Sequence, residues 1–308
     1  MKKLLLPALF ATLSVLSLRA DDGAPAAASP AKGGLRYTIA VTKFENRSNY
    51  AGQFALSDTF GAVLTDSLQN TGRFIVVAES DMRNAAMAEQ DFAASGRTAK
   101  GDKAPVTGQM TPVQLLVKGE ITAFQDGTEG GSGGIGFAGI HVGGGTRTAE
   151  INAVIYLVDS TTGQVKASKK VVGQVKSNGL NVGFTNRNFA GDIGGFKKTN
   201  VGKAVEAAID QAVDFCMAQL ESVPWTGDVI LVKGEQVYIN RGSREGVTPG
   251  QVFRVGTNEV LRDPGTGEVL DNSLTEKAKI KVDSVKEKIS ICSIVSGGGV
   301  EKGMSATP

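Results

Sequence analysis

The stretch Leu115-Leu116-Val117-Lys118-Gly119-Glu120-Ile121-Thr122-Ala123-Phe124 decides the fold class. It is an apolar, strand-forming run with one glycine at its centre, and the residues before it alternate between strand and helix signals. In residues 37–44, Tyr37, Ile39 and Val41 fall on one side and Thr38, Ala40 and Thr42 on the other, which is the period of a strand. Phe54, Leu56, Phe60, Val63, Leu64 and Leu68 then recur at helical spacing, and Asn70-Thr71-Gly72 closes the helix. Residues 74–78 read as a short apolar strand. Ser80 and Asp81 are the expected caps of a second helix over 82–94, rich in Ala and Met. Strand, helix, strand, helix, strand is an α/β order. No Gly-x-Gly-x-x-Gly or P-loop run opens either helix, so a nucleotide site has no support.

On the C-terminal side the chain turns to glycine. Of the 40 Gly in 308 residues, ten lie between Gly127 and Gly145, with Ile135, Phe137, Ile140 and Val142 among them. Residues 150–158 read as a strand, Ser160-Thr161-Thr162-Gly163 as a turn, and residues 164–175 as the partner strand. Leu180, Val182 and Phe184 then alternate with Asn181, Gly183 and Thr185, and a helix follows over 201–220. Two readings of the glycine segments stand side by side. One is a loose loop beside an ordinary hairpin. The other is a pair of amphipathic hairpins that join those of other subunits in a closed membrane barrel, whose strands need only about 9–11 alternating residues. The apolar parity changes between Phe137 and Ile140, so a bulge or a turn must intervene.

The N-terminus has the pattern of an export signal. Lys2 and Lys3 precede an apolar run, and a small residue, Ala20, stands before Asp21 and Asp22. Residues 1–20 are therefore read as a signal peptide and residues 21–34, rich in Ala, Gly, Pro and Ser, as a flexible leader. No Cys precedes Cys216, so the residue a lipoprotein signal would need is not found. With 33 Lys+Arg against 31 Asp+Glu the net charge is +2, which gives no field for nucleic-acid binding.

Residues 221–227, with Pro224 and the only Trp, Trp225, read as a boundary between a domain over 35–222 and a second over 225–308. Beyond it, short strands are expected at 228–232, 236–239, 252–255, 277–285 and 289–295, separated by turns such as Thr248-Pro249-Gly250 and Asp263-Pro264-Gly265. Five short strands in that span argue a small all-β barrel. Arg241 and Arg244 flank a turn there and are expected as solvated surface charges.

Reactive residues are few. His141 is the only His, with no nucleophile or orienting partner that the sequence places beside it. Cys216 and Cys292 are expected as separate buried thiols. No catalytic, metal or cofactor-binding residues are expected, and an enzyme is disfavoured.

The ordered features of residues 36–220 resemble the curli production assembly/transport (CsgG) family of outer-membrane secretion channels. They are the first strand, Val63-Leu64-Thr65-Asp66-Ser67-Leu68, Arg73-Phe74-Ile75-Val76-Val77-Ala78-Glu79, Lys118-Gly119-Glu120-Ile121, the Gly-rich segment and Asp159-Ser160-Thr161-Thr162-Gly163-Gln164. The resemblance implies a periplasmic α/β domain, helices on a mixed sheet, with two membrane hairpins at about 130–158 and 164–197. It further implies a homo-oligomeric ring in the outer membrane that passes a secreted polypeptide or other exported polymer. Tyr50, Gln53 and Phe54 stand where the family narrows its channel, with Gln in place of Asn and the spacing one residue shorter. The lipid-bearing Cys usual in the family is missing here, and the same fold occurs in soluble activators of cell-wall synthesis. A soluble periplasmic scaffold or activator is therefore the alternative. The run Val237-Tyr238-Ile239-Asn240-Arg241-Gly242 resembles the C-terminal domain of flagellar assembly protein T and similar SH3-like modules. That implies an appended adaptor for periplasmic accessory proteins or cell wall.

Overall fold

A computed structural model describes residues 34–49, 55–99, 101, 104–129, 135–137, 140–182 and 199–308, with backbone alone for 128–129, 135–137, 140–147 and 177–182. Its first layer is a mixed sheet of seven strands. Strand β1 (Tyr37–Val41) lies parallel between β3 (Phe74–Val76) and β4 (Leu115–Glu129). The two-residue β2 (Glu45–Asn46) pairs in parallel with β4 further along. Three long antiparallel strands follow: β4, then β6 (Ile140–Asp159), then β7 (Val165–Val182), with the short β5 (Ile135–Phe137) paired to the start of β6. The expected strand over 115–124 continues to Glu129. The polar and glycine residues Gln125-Asp126-Gly127 hide the extension from an apolar pattern, yet each has a β6 partner.

The sheet is amphipathic by strand period. Ala149, Ile151, Ala153, Ile155 and Leu157 of β6 are all buried, whereas the residues between them are only partly covered. Helices α1 (Leu56–Asn70) and α3 (Asn200–Gln219) cover the buried face. Leu56, Phe60, Leu64 and Leu68 of α1 recur at the expected helical spacing and are at most 1% exposed. The helix stops at Thr71-Gly72, as expected, with Gly72 at φ 67°. Helix α3 starts on Thr199, whose hydroxyl accepts the Gly202 N–H at 2.9 Å. It lies so near β7 that a Cβ on Gly173 would overlap the Ala204 carbonyl, which is why glycine stands there.

Helix α2 (Ser80–Ala94) departs from expectation. Ser80 and Asp81 lie inside it, and its N-cap is Glu79, with no side-chain cap bond. Asp81 accepts the adjacent Met82 N–H instead, at 2.7 Å. None of its residues is buried.

The second layer is a closed antiparallel barrel of six strands in the order β10-β11-β12-β9-β8-β13. These are β8 (Gly227–Lys233), β9 (Gln236–Ile239), β10 (Val252–Arg262), β11 (Val269–Val285), β12 (Ser290–Gly297) and β13 (Ser305–Thr307). The sixth strand, β13, closes the barrel between β10 and β8, and a three-residue polar strand gives no period to read. Val229, Val237, Ile239, Phe253, Val255, Ile280, Val282 and Ala306 fill it. Trp225 is 5% exposed and stacks on Phe253 with centroids 5.2 Å apart.

Arg241 and Arg244, expected as solvated charges, are both engaged. Arg241 sits 6.0 Å from the Trp225 ring centroid. Arg244 binds the buried Glu245 at 2.6 Å, and that carboxylate also accepts the Gly242 N–H at 2.9 Å. The Glu245 carbonyl in turn accepts the Arg36 N–H at 2.9 Å, tying the barrel to the start of β1.

Candidate functional site

The site begins beyond Ala149, the last described buried position on β6. On β6 the buried alternation runs from Leu157 back to Ala149, and the strand then continues through residues 140–148. Pairing with β4 is continuous from Leu115↔Asp159 to Glu129↔Thr146, with one register shift between Ile121 and Ala123. Pairing with β7 runs from Val158↔Val165 to Val142↔Val182. With β5 at residues 140–142, each residue of the shared strand has at least one neighbouring strand to pair with, and both neighbours flank it from Thr146 to Val158.

The candidate hairpin residues fall on this ribbon. Ile135 pairs with Val142 and Phe137 with Ile140, so the parity change between 137 and 140 marks a chain reversal. Leu180 pairs with Gly144, and Val182 with Val142. Phe184 lies outside the described residues. His141 pairs with Gly136 within the same hairpin. The turn at 160–163 forms as read: Asp159 Oδ1 accepts the N–H groups of Thr161 at 2.8 Å and Thr162 at 3.2 Å, and Gly163 has φ 72°. Burial pulls the Asp159 carboxyl up, but these two donors and Lys166 at 3.7 Å prevail and hold it below its ordinary value.

The candidate constriction residues Tyr50, Gln53 and Phe54 lie outside the described residues. Both flanks of their loop are described. Before it, the Arg47 N–H donates to the Ile121 carbonyl at 2.8 Å, and the Arg47 guanidinium reaches Glu45 at 2.9 Å and Glu120 at 3.4 Å. Lys118 meets Glu45 from β4 at 3.2 Å. The Arg47 and Lys118 contacts hold the Glu45 carboxyl below its ordinary value. Ser48 is fixed to Asn46 Oδ1 through both N–H and Oγ, and Asn49 takes a left-handed φ of 58°. After the loop, α1 begins at Leu56. This charged anchor escaped the sequence reading. Its only signal is the alternation of opposite charges at Glu45/Arg47 and Lys118/Glu120.

Among the described residues, no group of three or more His, Cys, Asp or Glu is placed to hold a metal ion, and no helix is long and apolar enough to cross a membrane. What the arrangement offers is a paired ribbon and an anchored loop.

A family model for the curli production assembly/transport component CsgG matches residues 25–248, well over half of the chain. Among curated proteins, none matches the chain. Solved structures with a similar arrangement include the protein CT253 from Chlamydia trachomatis, at 10% identity and a TM-score of 0.39 over 61% of this chain and 99% of that one. The PelC dodecamer from Paraburkholderia phytofirmans is similar at 11% identity and 0.27 over 58% and 89%. Lipoprotein GNA1162 from Neisseria meningitidis is similar at 16% identity and 0.26 over 61% and 99%. No functional conclusion follows from scores this low.

Proposed function

Because the chain belongs to the curli production assembly/transport (CsgG) family, we propose that it is an exported, envelope-associated secretion or assembly component, and specifically a homo-oligomeric outer-membrane channel. The family supports the envelope role. The observation that carries the channel reading is the ribbon: β6 continues for nine residues, 140–148, past the buried Ala149, paired with β5 at 140–142, with β7 at 142–148 and with β4 at 146–148. A tilted membrane strand needs about 9–11 residues. In this reading each protomer contributes hairpins to a shared barrel, and closure between copies satisfies the outer backbone edges. The ring passes an unfolded polypeptide or another exported polymer. Tyr50, Gln53 and Phe54 narrow the passage, held by the Arg47–Glu45–Lys118 anchor on one flank and α1 on the other. The six-stranded barrel acts as an SH3-like adaptor toward accessory proteins or cell wall. No catalytic step belongs to this role.

The test is the size and shape of the full-length protein extracted in mild detergent, read by electron microscopy and light scattering. Rings in the outer-membrane fraction are expected. Deletion of residues 130–145 and 176–196 should release the protein to the soluble fraction and abolish export. Recovery of the intact protein only as a soluble monomer would overturn the channel and favour the periplasmic scaffold.

A further inference from the structure

The barrel carries an arm that its own closure does not use. Strand β10 pairs with β13 only at residues 254–256, and β11 pairs with β12 only from Ala278 onward. Between those limits β10 and β11 pair solely with each other, through Thr257↔Thr275 to Arg262↔Val269, and the turn at Asp263 joins them. An isolated two-stranded ribbon is marginal in water and gains little by itself from apolar residues. This one nevertheless displays Val260, Leu261, Val269 and Leu270, 43–61% exposed, where the two arms repeat Glu-Val-Leu at 259–261 and 268–270. Residues 257–276 also hold five carboxylates (Glu259, Asp263, Glu268, Asp271 and Glu276) against the single Arg262, a net charge of −4.

The complementary surface is on the same chain. Strand β7 carries Lys166, Lys169, Lys170 and Lys176 and no acidic residue, a net charge of +4. Lys170, Val172 and Lys176 share one face by strand period and are exposed; Lys166, at the register shift beside Val165, is exposed too and also meets Asp159 at 3.7 Å, and Val165 is 52% exposed. That face is opposite the one on which Val171 and Gly173 meet α3. Among the described residues β7 pairs only with β6, and at Val172 its far edge is held by Gln211 of α3, which accepts the Val172 N–H at 3.3 Å and donates to its carbonyl at 2.7 Å, so the lysine–valine face, not the edge, is what another chain can meet.

We propose that the 257–276 arm of one copy docks on the lysine–valine face of β7 in the next copy. The contact is heterologous, arm to face, and a heterologous contact that closes generates a ring. Exposed aliphatic residues on the arm meet Val165 and Val172. The carboxylates of Glu268 and Asp271 meet Lys166 and Lys170. The proposal rests on the homo-oligomeric reading above and adds the surface that sets neighbour to neighbour.

The experiment is sedimentation and light scattering of the full chain in mild detergent at two salt concentrations. The variants are Glu268→Lys with Asp271→Lys, Lys166→Glu with Lys170→Glu, the four combined, and a chain with residues 258–274 replaced by a two-residue turn. Each charge-reversed pair should weaken assembly at least tenfold at low salt. The combined variant should restore it, which a misfolded arm cannot do. Rings of unchanged affinity in the arm-deleted chain would overturn the proposal while leaving the ring reading intact, and would assign the arm to a different, basic partner. A wild-type chain monomeric at every concentration would remove both readings.

Discussion

The ring of Phe44 lies directly on Gly119, where a Cβ would overlap its Cε1, Cζ and Cδ1 atoms. Phe44 is 2% exposed and its other side meets Phe60 of α1, centroids 4.9 Å apart. The glycine at the centre of the fold-deciding strand is therefore a packing requirement: it makes room for an aromatic that links β1 to α1. Gly119→Ala should destabilise by about 2–3 kcal/mol, the upper part of the usual range of about 1–3 kcal/mol for overpacking a well-filled core. Adding Phe44→Leu should recover part of the loss by withdrawing the ring. Urea midpoints of the two single variants and the double variant measure the coupling. Simple additivity would show that Gly119 answers to something other than Phe44.

Helix α3 makes a second close approach. Gly173→Ala places a methyl group against the Ala204 carbonyl and the Ala208 N–H, so the helix must shift off β7. Backbone atoms cannot swing aside, and the expected cost is at the upper end of the overpacking range, about 3 kcal/mol. Thr199→Ala removes the cap on the Gly202 N–H and should cost about 1 kcal/mol. Circular dichroism melts of both variants should rank them in that order.

How much of this was legible follows from period. Ile39, Val41, Leu64 and Leu68 announce their elements because one face is buried and the other is not, and the sequence repeats with the element. The arms of β10 and β11 are missed because both faces are exposed and nothing forces alternation: Asn258 and Asn272-Ser273 read as loop, yet they pair in register with Leu274 and with Val260 and Glu259. The anchor of the candidate loop is missed for another reason. Glu45, Arg47, Lys118 and Glu120 lie some seventy residues apart and meet only because β2 pairs with β4. The Ser160-Thr161-Thr162-Gly163 turn is legible because its geometry is local: a glycine with positive φ and an Asp whose oxygen accepts from the amides two and three residues on.

That turn has a pH signature. The carboxyl of Asp159 is held below its ordinary value of 3.8 in the folded chain, so its ionised form stabilises the hairpin. A depressed folded pKa adds stability above the unfolded value, and that stability is lost as pH falls through the folded one. Wild type should exceed Asp159→Asn in urea resistance at pH 7 and at pH 5. The gap should close as pH is lowered below 3.8. A gap that stays constant from pH 7 to pH 2 would mean that the charge on Asp159 contributes nothing.

The two thiols provide a last check on the core. Cys216 and Cys292 are buried and unbonded to each other, one in α3 and one in β12. Burial pushes each up to about 12, with the Asp283 carboxylate adding to the effect at Cys292. A thiol reacts as its thiolate, so at pH 8 only about one part in ten thousand of either group is in reactive form, and access is closed besides. Native protein should therefore take up essentially no iodoacetamide or aromatic disulfide reagent over an hour, and both cysteines should react within minutes in 6 M guanidinium. Mass spectrometry of peptides counts the adducts site by site. Early modification at Cys216 alone would show that α3 undocks from the sheet in the native state, and early modification at Cys292 alone would place the weak point in the barrel.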